Sequence, residues 1–326
     1  MARYVLSDVE KNDLAAVADG FLAARPVWAP FEYANDIRAE AERLPVGVRR
    51  FLVSSRAAED AVIVLGNLPV DDGLVPTPPS WRIAEKEAAA IREELVLLLV
   101  GSVLGEPFGW ANQQNGRLVH DVCPSKGQEN SLTSASSRQQ LTLHTEDVFH
   151  PCRGDYVALM CLRNPDAVGT TVARVESVEF PEPVRRVLHQ DRFRFFPDDS
   201  HHVVPQHSAE NPSALEDRPY EVASVLFGPE EAPYLRIDAD FTDAVPGDTE
   251  AAATLAEAAD LLAAAAERVV LGPGDAVFID NHRAIHGRDT FTPRYDGTDR
   301  WLKRTSLVRD LRRTYVRTRS RSRLLG

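Results

Sequence analysis

The spacing of apolar positions divides the chain into a helical front and a strand-rich remainder. In the front, residues 1–110, a capping pattern at Ser7 precedes apolar residues at helical spacing, and residues 81–104 form a second pattern that is charged early and apolar late. Between these patterns, residues 68–80 hold four prolines and two aspartates. Proline fixes the backbone and removes a hydrogen-bond donor, so we predict a loop there.

Residues 141–311 are typical of short strands, because β-branched and aromatic residues occur in brief runs that Pro, Gly, Asp and Asn separate. The runs cover residues 141–149, 155–163, 170–175, 193–197, 223–228, 233–241, 275–288 and 304–311. An alanine-rich stretch at about 249–269, with Gly272 and Pro273 beyond its end, predicts one helical insertion. The order of elements predicts a single domain over residues 1–326 that is mainly β with flanking helices, as in a β-sandwich or jelly roll.

Three further stretches of the sequence lie outside the predicted strand region or interrupt it, and each carries its own prediction. Residues 121–140 are small and polar, and we expect a lid-like loop over a site. The chain after Arg309 is rich in arginine, and we expect a solvated and partly frayed end rather than an RNA-binding tail. The longest apolar run, Leu95 to Gly105, has 11 residues between two glutamates, which is too short to span a bilayer.

The charge balance argues against polyanionic partners. The 326 residues include 37 basic and 49 acidic ones, a formal net charge of −12, which repels nucleic acids and anionic membranes. Cys123, Cys152 and Cys161 form no even framework and no CxxC pair, which predicts reduced thiols in a cytoplasmic protein. The first residues lack the basic start and apolar core of a secretory signal. The sequence leaves the oligomeric state open.

Candidate metal ligands come from two distant segments. His144 and Glu146 lie two residues apart in a predicted strand, so their side chains face the same side. The segment 281–288, NHRAIHGR, offers His282 or His286 as a third ligand. Two histidines and one carboxylate form the facial triad of non-haem iron(II) oxygenases, which leaves coordination positions open. The sequence contains no GxGxxG, GxxxxGK[ST] or GxSxG motif, so neither a phosphate cradle nor a hydrolase nucleophile is predicted.

The pair Asp238 and Asp240 is a candidate site for a cationic substrate. If the backbone is extended, the two carboxylates face the same way and repel each other unless a cation lies between them. A guanidinium, with five donors in a fixed fork, satisfies both carboxylates. Calcium is a weaker alternative, because the run from Asp238 to Asp243 lacks the glycine and the terminal glutamate of a calcium loop.

These motifs lie in segments that resemble the iron(II)- and 2-oxoglutarate-dependent oxygenases. The resemblance is strongest to the clavaminate-synthase-like group, especially its free L-arginine hydroxylases of actinobacterial antibiotic pathways. It covers most of the chain and is most specific in residues 143–147, 155–165, 197–200 and 236–241 and in the spacing of His286, Arg300 and Arg304. It implies a double-stranded β-helix, the jelly roll of cupin-like proteins, with iron(II) as metal, 2-oxoglutarate as cosubstrate and dioxygen as oxidant.

The resemblance also implies which residues bind the metal. It assigns His144, Glu146 and His286 to iron(II), and it favours His286 over His282 because His286 precedes Gly-Arg. The predicted strand and loop at this segment also argue against two histidines on one helical face. Other histidines are expected at the surface or beside the ligands, and these are His150, His201 and His202.

Cosubstrate and substrate contacts are implied in the same way. Arg300, fourteen residues past His286, matches the family position that binds the distal carboxylate of 2-oxoglutarate, for which a guanidinium is well suited. Thr170 matches the hydroxyl donor to that carboxylate, and the adjacent Thr171 stays open as an alternative. The implied substrate contacts are Gln113, Glu146, Asp198, Ser200, Asp238, Asp240 and Arg304.

The sequence therefore predicts a dioxygenase that hydroxylates free L-arginine at C3 and/or C4 in secondary metabolism. One alternative is the same chemistry on lysine, ornithine or asparagine. The acidic residues argue against asparagine and weakly against lysine, whose point charge needs no planar pair of carboxylates. Another alternative is a non-catalytic β-helix protein that binds a metal or small ligand, which would have no use for a cation at Arg300.

Overall fold

The computed structural model describes residues 1–129, 137–138, 140–198, 201 and 215–326. The α-helices are α1 (Asp8–Ala23), α2 (Ala34–Glu40), α3 (Val46–Ala57), α4 (Trp81–Lys86), α5 (Ile91–Leu104), α6 (Glu182–Leu188), α7 (Thr249–Ala264) and α8 (Leu311–Thr318). The strands are β1 (Ala2–Val5), β2 (Val62–Gly66), β3 (Glu106–Trp110), β4 (His120–Val122), β5 (Leu141–His144), β6 (Tyr156–Arg163), β7 (Gly169–Arg174), β8 (Phe193–Phe195), β9 (Glu221–Ala223), β10 (Leu226–Phe227), β11 (Tyr234–Leu235), β12 (Thr242–Ala244), β13 (Glu267–Val270), β14 (Ala276–Asp280), β15 (Ala284–Arg288), β16 (Trp301–Val308) and β17 (Leu324–Leu325). Short 3₁₀ turns lie at Ala41–Arg43, Gln114–Gly116, Val175–Ser177 and Leu215–Asp217.

Two sheets with apolar inner faces form the centre of the fold. The larger sheet has the order β1-β2-β14-β6-β16-β3-β17, with β4 paired to β16, and the smaller has the order β13-β7-β15-β5. Successive residues of β6 alternate between two cores: Val157 and Leu159 pack with Val172 of the smaller sheet, whereas Ala158 and Met160 pack with the helical front. This period of two is what a strand buried on both faces requires.

The helical front covers the outer face of the larger sheet. Helix α5 is the part of this front that packs against the larger sheet, and every residue from Leu95 to Val100 is fully buried. The apolar run in the sequence is therefore the core of a helix surrounded by protein. Among the described residues, no helix is both long and apolar enough to cross a membrane.

A second layer covers the outer face of the smaller sheet. The three-stranded sheet β12-β8-β9 and helices α6 and α7 pack there. Phe193, Phe195 and Ile285 share this core. The fold is thus built around central sheets with helices on both sides, as the hydrophobic pattern predicts.

Most predicted elements are confirmed, and two helix boundaries differ. Helix α1 begins with a complete capping box between Ser7 and Glu10. The pattern 81–104 is not one helix, because the backbone between α4 and α5 turns through positive φ at Ala88 (51°) and Ala90 (58°). The predicted insertion 249–269 is too long, because α7 ends at Ala264 and the next residues pair with the edge strand β7. Pairing with an existing edge outweighs local helix propensity there.

The C-terminal tail is more ordered than we predicted. The Asp310 side chain caps α8 by accepting from the Arg312 N–H, and Leu311 is buried. Strand β17 pairs in parallel with β3, and Leu325 packs on Trp110. Most arginines of the tail are exposed, as expected for a solvated end, but the expectation of partial fraying is wrong, because a few apolar residues among the arginines anchor the tail.

Two further expectations are refined. The run 275–288 is not one strand but two, β14 in the larger sheet and β15 in the smaller sheet, joined by a turn at residues 281–283. The polar stretch 121–140 begins inside β4, and residues 130–136 and 139 lie outside the described residues, so the predicted lid stays a prediction. The three cysteines are free, in agreement with the prediction that they form no disulfide, and all three are buried.

Candidate active site

The three candidate metal ligands converge between the two sheets. Strands β5 and β15 pair so that His144 lies directly opposite His286, with ring centroids 4.5 Å apart. Glu146 follows β5, and its Oε1 lies 3.3 Å from His286 Nε2 and 3.9 Å from His144 Nε2. One potential ligand atom from each residue lies within 4.8 Å of the others. Within the described part of the chain, His144, Glu146 and His286 are the group of side chains close enough together to hold one metal ion.

Neighbouring groups orient these ligands. His144 Nδ1 lies 2.8 Å from the Thr142 carbonyl oxygen, which leaves Nε2 facing Glu146. The Asn281 side chain accepts from the Glu146 N–H at 2.7 Å and donates to the Glu146 carbonyl at 3.1 Å. A fixed ring and a clamped backbone hold the donor atoms in place for a metal. The sequence alone does not reveal Asn281, because its contact with Glu146 spans 135 residues.

The charge states suit a divalent cation. Burial alone would raise the pKa of Glu146, but Arg304, His286 and His144 hold it well below its usual range. Burial and the nearby His144 lower the pKa of His286. An ionised carboxylate beside a neutral imidazole is the form in which these groups bind iron(II). The donor set therefore fits a non-haem iron centre.

A cavity beside the ligands contains two buried guanidinium groups. Glu146, His286, Thr170, Arg288 and Arg300 all line it. Burial lowers the pKa of Arg300 to about 10, and its Nε has no hydrogen-bond partner among the described residues. Such a group suits a carboxylate that enters the cavity. Arg288, which the sequence reasoning passed over, has a pKa lowered to about 10 by burial and by Arg300.

The structure also separates the two candidate threonines. Thr170 is 2% exposed and lines this cavity. Thr171 lies on the opposite face of β7, where its hydroxyl donates to Asp289 Oδ1 at 3.4 Å. Alternation along the strand therefore gives only Thr170 access to the cavity.

Arg304 joins the metal ligands to another candidate residue. Its Nη1 donates to Glu146 Oε1 at 3.2 Å, and its Nη2 donates to Gln113 Oε1 at 3.1 Å. Gln113 is 6% exposed, although it lies in a polar run of the sequence. The structure thus brings Gln113, Glu146 and Arg304 into one hydrogen-bonded group.

The acidic residues proposed to bind a cationic substrate lie beside His144. Asp238 forms an isolated β-bridge with His144, and its carboxylate accepts from the Asp240 N–H at 2.8 Å. Burial raises the pKa of Asp238 to about 7, and the charges of Asp240 and Asp198 add to the effect. Asp240 Oδ2 accepts from the Thr142 hydroxyl at 2.5 Å. Asp198, Asp238 and Asp240 therefore form one acidic group, whereas Ser200 lies outside the described residues.

Comparison with known proteins identifies the family. A profile described as "Taurine catabolism dioxygenase TauD, TfdA family" matches residues 83–306, which include every ligand described above. The chain belongs to the TauD/TfdA dioxygenase family. It is an iron(II)- and 2-oxoglutarate-dependent dioxygenase.

Several relatives of this TauD/TfdA dioxygenase have named substrates. It is 42% identical to an enduracididine beta-hydroxylase of Streptomyces hygroscopicus over 95% of each chain. It is 41% identical to an L-ornithine/L-arginine 3-hydroxylase of Catenulispora acidiphila over 83% of this chain and 84% of the relative. The crystal structure of non-heme iron oxygenase OrfP in complex with Fe, succinate and (3S)-hydroxy-L-Arg matches with a TM-score of 0.89 and 37% identity, over 100% of both chains.

Two histidines of this TauD/TfdA dioxygenase lie beside the site without joining the metal-ligand group. His282 Nε2 lies 3.0 Å from Asp155 Oδ1, and its Nδ1 lies 3.1 Å from Arg153 Nη2. His201 is buried against Trp110, with Nε2 2.8 Å from Asp147 Oδ1. No sequence spacing links His201 to Asp147, so this contact was not predicted.

Proposed function

We propose that the protein hydroxylates free L-arginine at C3 and/or C4 in secondary metabolism. The observation that carries the proposal is the acidic group of Asp198, Asp238 and Asp240 beside the candidate iron ligand His144. Asp238 is buried and Asp198 and Asp240 are half-buried, so their carboxylates repel one another until a cation enters, and a planar guanidinium can pair with two of them. Relatives that act on enduracididine or on L-ornithine and L-arginine support this choice.

His144, Glu146 and His286 would hold the iron. When bound, iron(II) supplies with dioxygen and 2-oxoglutarate the oxidising power that replaces a C–H bond by C–OH, as the cosubstrate becomes succinate and carbon dioxide. The protein's part is to orient both organic molecules and to exclude water. Asn281 and the Thr142 carbonyl support this role by fixing the ligands.

Arg300 and Thr170 would bind the distal carboxylate of 2-oxoglutarate. The buried Nε of Arg300, which has no hydrogen-bond partner in the described part of the chain, supports this assignment, because a carboxylate there would supply the missing acceptor. Thr170 lines the same cavity and has a hydroxyl to donate. We infer from the two facing sheets, with these groups between them, that the fold is a double-stranded β-helix.

The substrate would be held at both ends. Gln113, Glu146 and Arg304 would bind its α-amino and α-carboxylate groups, since they offer acceptors and a guanidinium in one buried group. The residues proposed for the side-chain guanidinium are Asp198, Ser200, Asp238 and Asp240. Holding both ends leaves the middle carbons of the substrate facing the metal.

Enduracididine is a second candidate substrate. The relative named for it is 42% identical over 95% of each chain, a longer match than that to the L-ornithine/L-arginine 3-hydroxylase. The proposed non-catalytic alternative is wrong, because the chain belongs to a dioxygenase family. Lysine, ornithine and asparagine stay alternatives for the experiment.

The test is turnover with a panel of free amino acids. Purified protein is incubated with iron(II), 2-oxoglutarate and ascorbate, and products are analysed by mass spectrometry for gain of one oxygen atom. We expect oxygenated arginine at the highest rate, with succinate formed in step. Oxygenation of enduracididine, lysine, ornithine or asparagine in preference to arginine would contradict the proposal.

A further inference from the structure

His120 is a buried histidine directly beside Arg304, the arginine proposed to bind the α-carboxylate of the substrate. Strands β4 and β16 pair so that His120 lies opposite Arg304. The His120 side chain is buried, with Nδ1 3.1 Å from Arg304 Nη2 and Nε2 3.2 Å from the carbonyl oxygen of Arg117. Within the described residues, its hydrogen-bond partners are Arg304 and Arg117 rather than the candidate iron ligands or the acidic group.

We propose that His120 is a positioning residue that holds the Arg304 guanidinium in the orientation needed to bind the substrate's α-carboxylate. The role rests on the proposed function, because it presumes an amino acid substrate. It concerns how Arg304 is aimed, whereas the proposed function concerns which molecule enters the site.

The hydrogen-bond directions follow from chemistry. A carbonyl oxygen can only accept, so the Nε2 of His120 must carry the hydrogen and donate to Arg117. In the neutral ring the other nitrogen, Nδ1, is then an acceptor, and Arg304 Nη2 donates to it. Burial, with the nearby charges of Arg304 and Arg117, lowers the pKa of His120 well below its usual value, which favours this neutral ring.

Three acceptors surround the Arg304 guanidinium. Glu146 accepts from Nη1, while Gln113 and His120 accept from Nη2. Because the guanidinium is planar, acceptors at both terminal nitrogens fix its rotation as well as its position. Without His120, Gln113 is the remaining acceptor at Nη2 among the described residues, and the guanidinium can tilt away from the carboxylate.

A tilted guanidinium would misplace the substrate over the metal. Small displacements of a reacting C–H reduce turnover strongly, since reaction requires a near-attack geometry. Arg304 also lines the cosubstrate cavity, but the distal carboxylate of 2-oxoglutarate is assigned there to Arg300 and Thr170, and His120 does not line it. A misplaced Arg304 should therefore weaken the use of arginine much more than that of 2-oxoglutarate.

The experiment compares three variants of the full-length enzyme. His120→Leu removes the acceptor, His120→Asn keeps an acceptor oxygen, and His189→Leu is the matched control. His189 is a half-buried histidine at the end of α6 whose Nε2 has no hydrogen-bond partner among the described residues. For each protein we would measure KM and kcat for arginine, KM for 2-oxoglutarate, and hydroxyarginine formed per succinate.

We expect His120→Leu to lose about tenfold in kcat/KM for arginine, the size of one hydrogen bond to a charged group. Hydroxyarginine per succinate should fall, the KM for 2-oxoglutarate should stay within about twofold, and His120→Asn should recover most of the loss. His189→Leu should match the wild type. Wild-type kinetics in His120→Leu, or an equal rise in both KM values, would overturn the role. A wild type that does not hydroxylate arginine would overturn the proposed function, and this role with it.

Discussion

At the residue scale, an interval of two residues marks two of the pairs that form the site. His144 and Glu146 are two apart, and Asp238 and Asp240 repeat that interval, so an extended backbone would place each pair on one side. In the structure β5 ends at His144 and residues 239–240 form a turn, so neither pair lies along one continuous strand. Sequence spacing does not show which strands pair with each other, and so which residues face each other across the sheet. The pairing of β5 with β15 determines that His286 meets His144.

The residues that were missed act across long sequence distances. Asn281 holds the Glu146 backbone, Arg288 shares the cavity of Arg300, and His120 contacts Arg304. Each is an ordinary polar residue in its local sequence. Its importance appears only when the two sheets bring it near a ligand.

The first residue-scale prediction concerns the distal iron ligand. His286→Ala leaves two protein ligands, so we expect loss of iron(II) binding and of succinate formation. His282→Ala should keep the metal, since His282 contacts Asp155 and Arg153 instead. Iron content after gel filtration is the measurement. Loss of iron in His282→Ala together with retention in His286→Ala would reverse the assignment.

A second residue-scale prediction concerns Arg300. Arg300→Ala should raise the KM for 2-oxoglutarate at least about tenfold, because a buried carboxylate left without its charged partner is strongly destabilised. Arg300→Lys should recover part of the loss, since an ammonium lacks the planar fork. Arg294→Ala is the control, because Arg294 is an exposed neighbour paired with Asp166. An unchanged KM in Arg300→Ala would show that the cosubstrate binds elsewhere.

At the element scale, local rules predict helix starts better than helix ends. The Ser7 capping box specifies where α1 begins, and its first turn forms as predicted. No glycine or proline marks the break before α5 in the sequence. Ala88 and Ala90 adopt positive φ there through tertiary packing. Strand β13 likewise forms from a helical pattern because β7 offers an edge to pair with.

The capping box gives the element-scale prediction. The Ser7 hydroxyl accepts from the Glu10 N–H at 3.3 Å, and the Glu10 carboxylate accepts from the Ser7 N–H at 3.0 Å. Ser7→Ala should lower the free energy of unfolding by about 1 kcal/mol and leave kcat/KM unchanged. Ser7→Thr should keep most of the stability. Urea denaturation of the three proteins is the measurement, and equal stability of Ser7→Ala and the wild type would refute the cap.

At the scale of the whole molecule, buried charges join the layers. Lys303 is fully buried on β16, and its Nζ lies 2.9 Å from Glu94 Oε1 of α5 and 2.7 Å from Asp121 Oδ1 of β4. Hydrophobic patterning predicts an apolar residue at such a position. The ion pairs were therefore not predicted, although the layered architecture was.

A buried acid predicts how global stability depends on pH. Burial raises the pKa of Asp280 to about 7 from its ordinary value of 3.8, and the charges of Asp155 and Glu59 contribute. The folded state thus retains a proton that the unfolded state loses, so this residue's contribution to stability falls as pH rises from about 4 to about 7. Asp280→Asn keeps an acceptor for the His282 N–H but cannot ionise.

We therefore expect Asp280→Asn to gain stability relative to the wild type as pH increases. The free energies of unfolding of both proteins would be compared at intervals between about pH 5 and about pH 8. A difference that stays constant over this range would mean that Asp280 is not protonated in the folded protein at the lower pH.

The measurement that tests the central claim most directly is the ratio of kcat/KM for arginine to kcat/KM for citrulline, its neutral isostere. If the acidic group recognises a guanidinium, wild-type protein should strongly prefer arginine, and Asp240→Ala should shrink the ratio by roughly ten- to a hundredfold. Asp243→Ala is the control, since Asp243 pairs with Arg194 at the surface, and it should keep the wild-type ratio. A wild-type ratio near one, or a ratio unchanged in Asp240→Ala, would contradict the account.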